Sequence, residues 1–168
     1  RRQRQMCIRD RYGVEQFRRK DYFASSECNN SDFFHHLAEN TDTDFILYSP
    51  CNTPLILEDT YYDFISRFRN GLGRSDSLNT ASLINRHLWL DGKPINYDPS
   101  NAPSTQGLPD IFGLNSGLSI ISKDNMIKYR NIVGSNPSFY KLNDYEAVDV
   151  DRPIDFEFAE FLYLKYRL

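Results

Sequence analysis

The chain has 168 residues, 40% hydrophobic and 26% charged, with a formal net charge of −3. That suffices for one domain with a real core and falls short of two, and the overall charge argues against a polyanion binder. No apolar run approaches the ~20 residues that cross a bilayer, and no signal peptide is recognisable, so the expectation is a cytoplasmic protein with neither membrane nor nucleic-acid partners.

Arg1, Arg2, Arg4, Arg9 and Arg11 crowd the start, with no aromatic residue before Tyr12. Residues 1–11 are therefore expected to be a disordered leader rather than a nucleic-acid-binding arm, and 12–168 a single domain. Cys7, Cys28 and Cys51 are odd in number and form no CxxC pair, which argues against a disulfide framework or a zinc site. Cys51 has no partner base that can be named and reads as a small structural thiol.

Ser31–Ala38 reads as a helix capped by Ser31. His35 and His36 point about 100° apart on it, one packed and one solvated. Asp44–Tyr48 reads as a buried strand, and Pro50 and Pro54 force a loop after it. A helix over 57–69 follows, with Tyr61, Phe64, Ile65 and Phe68 at helical spacing and Gly71 and Gly73 at its end. Strand, loop and helix form the repeating unit of an open α/β sheet, whose ligands sit at the C-terminal ends of the strands. Ser77–Leu83 is a second strand. Asp91-Gly92 marks a hairpin turn, with Pro94 restricting the second arm to an edge. Residues 87–109 form a hairpin-and-loop insertion. Leu114–Ile121 is another strand, with Gly117 marking a bulge or a close backbone approach. A helix over 123–129, extended pieces at 139–142 and 146–150, and a final helix from Pro153 complete the chain. The expected class is α/β: an open, mostly parallel sheet with flanking helices in a Rossmann-like three-layer arrangement, plus a projecting hairpin.

The chemistry concentrates in Asp149-Val150-Asp151-Arg152-Pro153-Ile154-Asp155. Alternation along an extended segment aims Asp149 and Asp151 one way and Val148 and Val150 the other. Pro153 suits the first position of a helix and Asp155 its first turn. Two carboxylates beside a helix N-terminus suit Mg²⁺ or Mn²⁺ carrying a triphosphate. On spacing alone, strand closure and helix capping explain the pair equally well.

Asp149–Phe156 resembles the D-[IV]-D-T-P-x-D-[FL] segment of the acylneuraminate cytidylyltransferases, with Arg152 where Thr is usual. Pro50–Ile56 resembles the family's Q-P-T-S-P-L-R loop, which singles out Asn52 and Thr53. Leu108–Leu118 resembles its L-P-x-x-[FY]-x-x-N-G-[AS]-[IL] run, with Ser116 as an extra residue. The three occur in the family's order. The resemblance implies that Asp149 and Asp151 are catalytic and bind the metal. It also implies that Asn115 and Gly117, with Gln106, Phe139 and Tyr140, face the sugar. CTP and an acidic sugar are the implied substrates, and a homodimer through the hairpin the implied assembly. Thr105 and Ile56 stand where the family carries arginines, and Arg1–Phe23 holds no counterpart of its phosphate-binding loop. The chain is therefore expected to be an inactive fragment. A GT-A glycosyltransferase-like domain and a non-catalytic scaffold are the competing readings.

Overall fold

The computed structural model describes residues 11–166. The leader reading falls almost wholly on residues 1–10, outside the described part. Four strands form one mixed sheet: β1 (Phe45–Tyr48), β2 (Ser77–Leu83), β5 (Phe112–Ser122) and β6 (Pro137–Lys141), in the order β1-β5-β2-β6. β1 and β2 each pair antiparallel with β5, and β6 runs parallel to β2. Three of the four strands thus point the same way, and the long β5 runs back between two of them.

Both faces of the sheet are covered, which makes three layers. On one face helices α1 (Asn30–Glu39) and α3 (Lys123–Tyr129) enclose Ala38, Ile46, Ile121 and Met126. On the other, α2 (Glu58–Gly71) inserts Phe64 and Phe68 against Leu78, Leu118 and Ile120. A third cluster joins Leu55 and Val148 to Ala159 and Leu162 of α4 (Pro153–Tyr166). The loop after β1 and the segment before α4 therefore share one small core.

Local chemistry explains the ends of these elements. The cap of α1 is Asn29 rather than Ser31: the Asn29 side chain accepts the Asp32 N–H, and Ser31 lies inside the helix. Several capping residues stand in a row there, and the first one won. Of the two histidines, His36 is buried, while His35 stays partly exposed 3.4 Å from Glu39. Cys51, read as a small structural thiol, is exposed. In the hairpin, β3 (Trp89–Leu90) pairs with β4 (Lys93–Pro94), and Asp91 and Gly92 both take positive φ, as a type I′ turn demands.

β5 carries a wide bulge. Asn79 pairs with Ser119 but Ala81 with Leu114, so residues 115–118 of β5 oppose Thr80 alone. The Thr80 hydroxyl fills the gap, accepting the Leu118 N–H at 2.8 Å and donating to the Leu118 carbonyl at 3.2 Å. Ser116 sits at the crest with φ of +54°. A Cβ on Gly117 would come within 2.9 Å of Ile56 Cδ1 and 3.0 Å of Thr80 Oγ1. A side chain there would have to displace Ile56, Thr80 or Leu142, so the close packing favours glycine.

Candidate functional site

Asp149 does not lie on a strand. Residues 144–147 turn, and 148–151 run irregularly into α4. The alternation survives without a ladder: Val148 and Val150 pack towards Leu55 and α4, while Asp149 is half-buried and Asp151 exposed. The departure from the expected strand has a simple cause. A buried Glu146 draws the chain into a turn by accepting the Leu57 N–H at 3.0 Å, the Thr60 hydroxyl at 2.6 Å and the Asn143 amide.

The loop after β1 meets this segment directly. Asn52 donates its side-chain amide to Asp149 Oδ1 at 2.6 Å, and its backbone carbonyl accepts the Val150 N–H at 2.8 Å. The donor must face the carboxylate, which leaves the Asn52 Oδ1 oxygen buried and unpartnered. Burial first, then the charges of Asp151 and Asp155, push the Asp149 carboxyl above the usual carboxylate range.

Arg152 offers no relief to Asp149. Its guanidinium pairs with Asp155 at 2.9 Å, and its backbone N–H donates to the same carboxylate at 2.9 Å. That second bond is the N3 half of a capping box; the other half, a side chain at position 152 accepting the Asp155 N–H, is one that Thr could give and Arg cannot. The Arg152 hydrogen bonds hold the Asp155 carboxyl below the usual range. Two adjacent carboxyls thus shift in opposite directions, Asp149 without a cation and Asp155 with one.

The remaining candidates scatter. Thr53 is buried, and its hydroxyl reaches only the Pro50 carbonyl, at 3.4 Å. Asn115 bonds to Ser82 Oγ at 3.0 Å and to the Gly117 N–H across the bulge. Gly117 is in the core. Gln106 is exposed on the one-turn helix Thr105–Gly107. Phe139 and Tyr140 are consecutive on β6 and face opposite ways, so they do not act as a pair. Tyr140 packs on Phe64 and donates to Asp63 at 2.7 Å, and burial with that bond pushes its hydroxyl up to about 12. Phe139 stacks on Phe112 with centroids 5.6 Å apart and remains partly exposed.

Reading the residues alone singled out neither Glu146 nor the Asn52–Asp149 contact. Asn52 and Asp149 are 97 residues apart, and no local periodicity encodes such a pairing. The one available signal for Glu146 was a lone carboxylate within the short run Tyr145–Val148. Among the described residues, no group of three or more His, Cys, Asp or Glu side chains could hold a metal by itself. No described helix is long and apolar enough to cross a membrane.

The chain is 26% identical over 95 residues to post-translational flagellin modification protein B of Campylobacter coli, covering 53% of this chain and 40% of that protein. It is 24% identical over 72 residues to CMP-N,N'-diacetyllegionaminic acid synthase of Campylobacter jejuni, covering 43% of this chain and 31% of that enzyme. The matches thus span less than half the length of either relative. No family model matches the chain.

Proposed function

We propose that these residues form the metal- and sugar-binding part of a nucleotidyltransferase that joins the CMP unit of CTP to an acidic, sialic-type sugar and releases pyrophosphate. The observation that carries this reading is the Asn52–Asp149 junction at the C-terminal end of β1. Ligands of open α/β sheets collect at such an end, and one of the two named relatives is a CMP-sugar synthase. Asp149 and Asp151 would hold Mg²⁺ or Mn²⁺, and the donor set fits. Two carboxylates crowd each other, the neighbouring arginine is engaged elsewhere, and a buried amide oxygen beside them lacks a partner. Magnesium commonly takes one or two carboxylates and completes its shell with phosphate oxygens and water. When bound, the metal supplies charge neutralisation for the phosphates.

The chain's own residues then divide the work. Asn52 fixes the Asp149 carboxylate, and Glu146 clamps the loop that carries Asn52 to the segment that carries Asp149. Phe139 offers a partly exposed ring on β6 to a sugar, and Asn115 and Gln106 are further candidates for the same role. The cation beside the carboxylates, Arg152, is bound to Asp155 and so does little to balance the charge of a triphosphate. The chain alone is accordingly expected not to turn over CTP, because phosphoryl transfer depends on positioning and charge neutralisation. The exposed hairpin residues Trp89, Leu90 and Ile95 form an apolar tip suited to a homodimer contact.

Calorimetry with Mn²⁺ tests the assignment. Asp149→Asn and Asp151→Asn are each expected to weaken binding at least tenfold with the fold intact, and unchanged affinity in both rejects it. Thr105 and Ile56, which stand where the resembled family carries arginines, favour one second reading, a non-catalytic binding domain. A thermal-shift series with CTP, CMP-sugars and UDP-sugars separates the readings, since only ligands of the native state raise the melting point.

A further inference from the structure

A second candidate site lies along α1, lined by none of the residues discussed above for metal or sugar. A cavity of about 310 Å³ opens between α1 and the irregular chain before it. Its apolar wall is Phe17, Phe33 and Leu37, and its polar groups include Arg19, His36 and Asn40. An adjoining, more polar cavity of about 270 Å³ shares Arg19 and Phe33 and reaches Ser25, Asn30 and Tyr48. Arg19 stands between the two, its guanidinium carbon 5.2 Å from the Phe33 ring centroid.

Two polar groups here lack what they are built to bind. Asn40 Nδ2 lies 3.1 Å from His36 Nδ1 and also donates to the His36 carbonyl at 2.8 Å. An amide nitrogen only donates, so Nδ1 accepts and the imidazole proton sits on Nε2. That Nε2–H is buried and has no partner. The His36 ring is held in place by face-to-face stacking on Phe23, with centroids 3.7 Å apart. Arg19 donates one N–H to the Phe23 carbonyl at 3.1 Å and pairs with no carboxylate among the described residues. A donor that lacks a partner and a cation that lacks an ion pair among the described residues, set around an apolar wall, complement an acceptor-bearing anion with a flat apolar body. Phe17 is exposed, hangs on irregular chain and lies 5.8 Å from the His36 ring, so it is the wall able to move aside.

We propose that the Phe17–Arg19–His36 cavity binds a small planar molecule carrying one anionic group. The ring system lies against Phe17, Phe33 and Leu37, and the anion accepts from Arg19 and His36 Nε2–H. This site is independent of the carboxylate site, and its test does not involve nucleotide or metal.

Naphthoate and its uncharged isostere naphthamide are suitable probes for calorimetry and for nitrogen NMR of the histidine rings. Naphthoate is expected to bind one to one, about tenfold more tightly than naphthamide, and to shift the His36 ring nitrogens while leaving those of His87 unmoved. Arg19→Ala is expected to remove the preference for the anion, and Phe17→Ala to weaken both probes. Both positions are exposed, so neither change threatens the fold. Loss of the anion preference in Arg19→Ala and weaker binding of both probes in Phe17→Ala, with His36 shifts in the parent, support the site. Equal affinity for the two probes, binding untouched by both substitutions, or no binding at millimolar concentration overturns it.

Discussion

Helices α2 and α4 are both fourteen residues long, yet they join the protein in opposite ways. α2 gathers Tyr61, Phe64 and Phe68 on one face, sinks Phe64 and Phe68 into the sheet, and turns charged residues outward. α4 is apolar on nearly every side and buries only Ala159 and Leu162. Ile154, Phe158 and Phe161 recur at helical spacing along one exposed stripe, and Phe156 and Leu164 are exposed besides. The contrast teaches that an amphipathic pattern announces its own burial, whereas a uniformly apolar helix does not say which face will pack. α4 is placed by its entrance: the Arg152–Asp155 cap and the valines that precede it.

If α2 carries the fold and α4 the site, substitutions should separate them. Phe64→Ala is expected to cost about 3–5 kcal/mol, as for a fully buried aromatic whose cavity cannot collapse. Urea unfolding would show it, and a loss below 1 kcal/mol would undo the distinction. Glu146 links the two regions, so Glu146→Ala strands three donors and should cost about 3 kcal/mol. It should also loosen the Asn52 loop and weaken Mn²⁺ binding, and full metal affinity in a folded variant would show the clamp to be unnecessary. Leu162→Ala, in a smaller and more open cluster, should cost about 2 kcal/mol, the low end for this change.

The two carboxyls give a subtler test through pH. Asp155 is held low by Arg152, so its contribution is present above the unfolded carboxylate value of roughly 4 and fades as pH falls through the depressed folded value. Asp149 is raised, so its contribution is complete below that unfolded value and is lost as pH rises through the raised folded value. Asp155→Asn should flatten the acid limb of the stability curve, and Asp149→Asn should lift stability slightly near neutrality. Curves for both variants that change in the same direction would contradict the opposed environments. The smallest effect on folding is expected at the hairpin. If the hairpin joins two copies as proposed, Trp89→Asp should lower the sedimentation weight to that of a monomer, with only the small loss of stability that follows from losing the partner.

Much of this architecture is legible in the residues. The Asp-Gly turn forms as expected because it alone supplies two positive-φ residues between short extended arms. The spacing of Phe64 and Phe68 placed α2 against the sheet, and Gly117 marked the close approach at the bulge. The cap of α1 was less legible, since Asn29 and Ser31 both suit that role.

The candidate site was legible in part, and the division has a physical basis. Turn chemistry, helical spacing and the alternation of Val148, Asp149, Val150 and Asp151 are local properties, set by backbone sterics and by which side chains leave water. Those the chain determined by itself. Long-range partners decided the rest: that Glu146 pulls the aspartates off the sheet, that Asn52 reaches Asp149, and that Arg152 turns to Asp155. Tertiary structure likewise separated Phe139 from Tyr140, leaving one partly exposed and setting the other against α2. Each outcome depends on which donor meets which acceptor once the core has closed, and only the packed chain sets those distances.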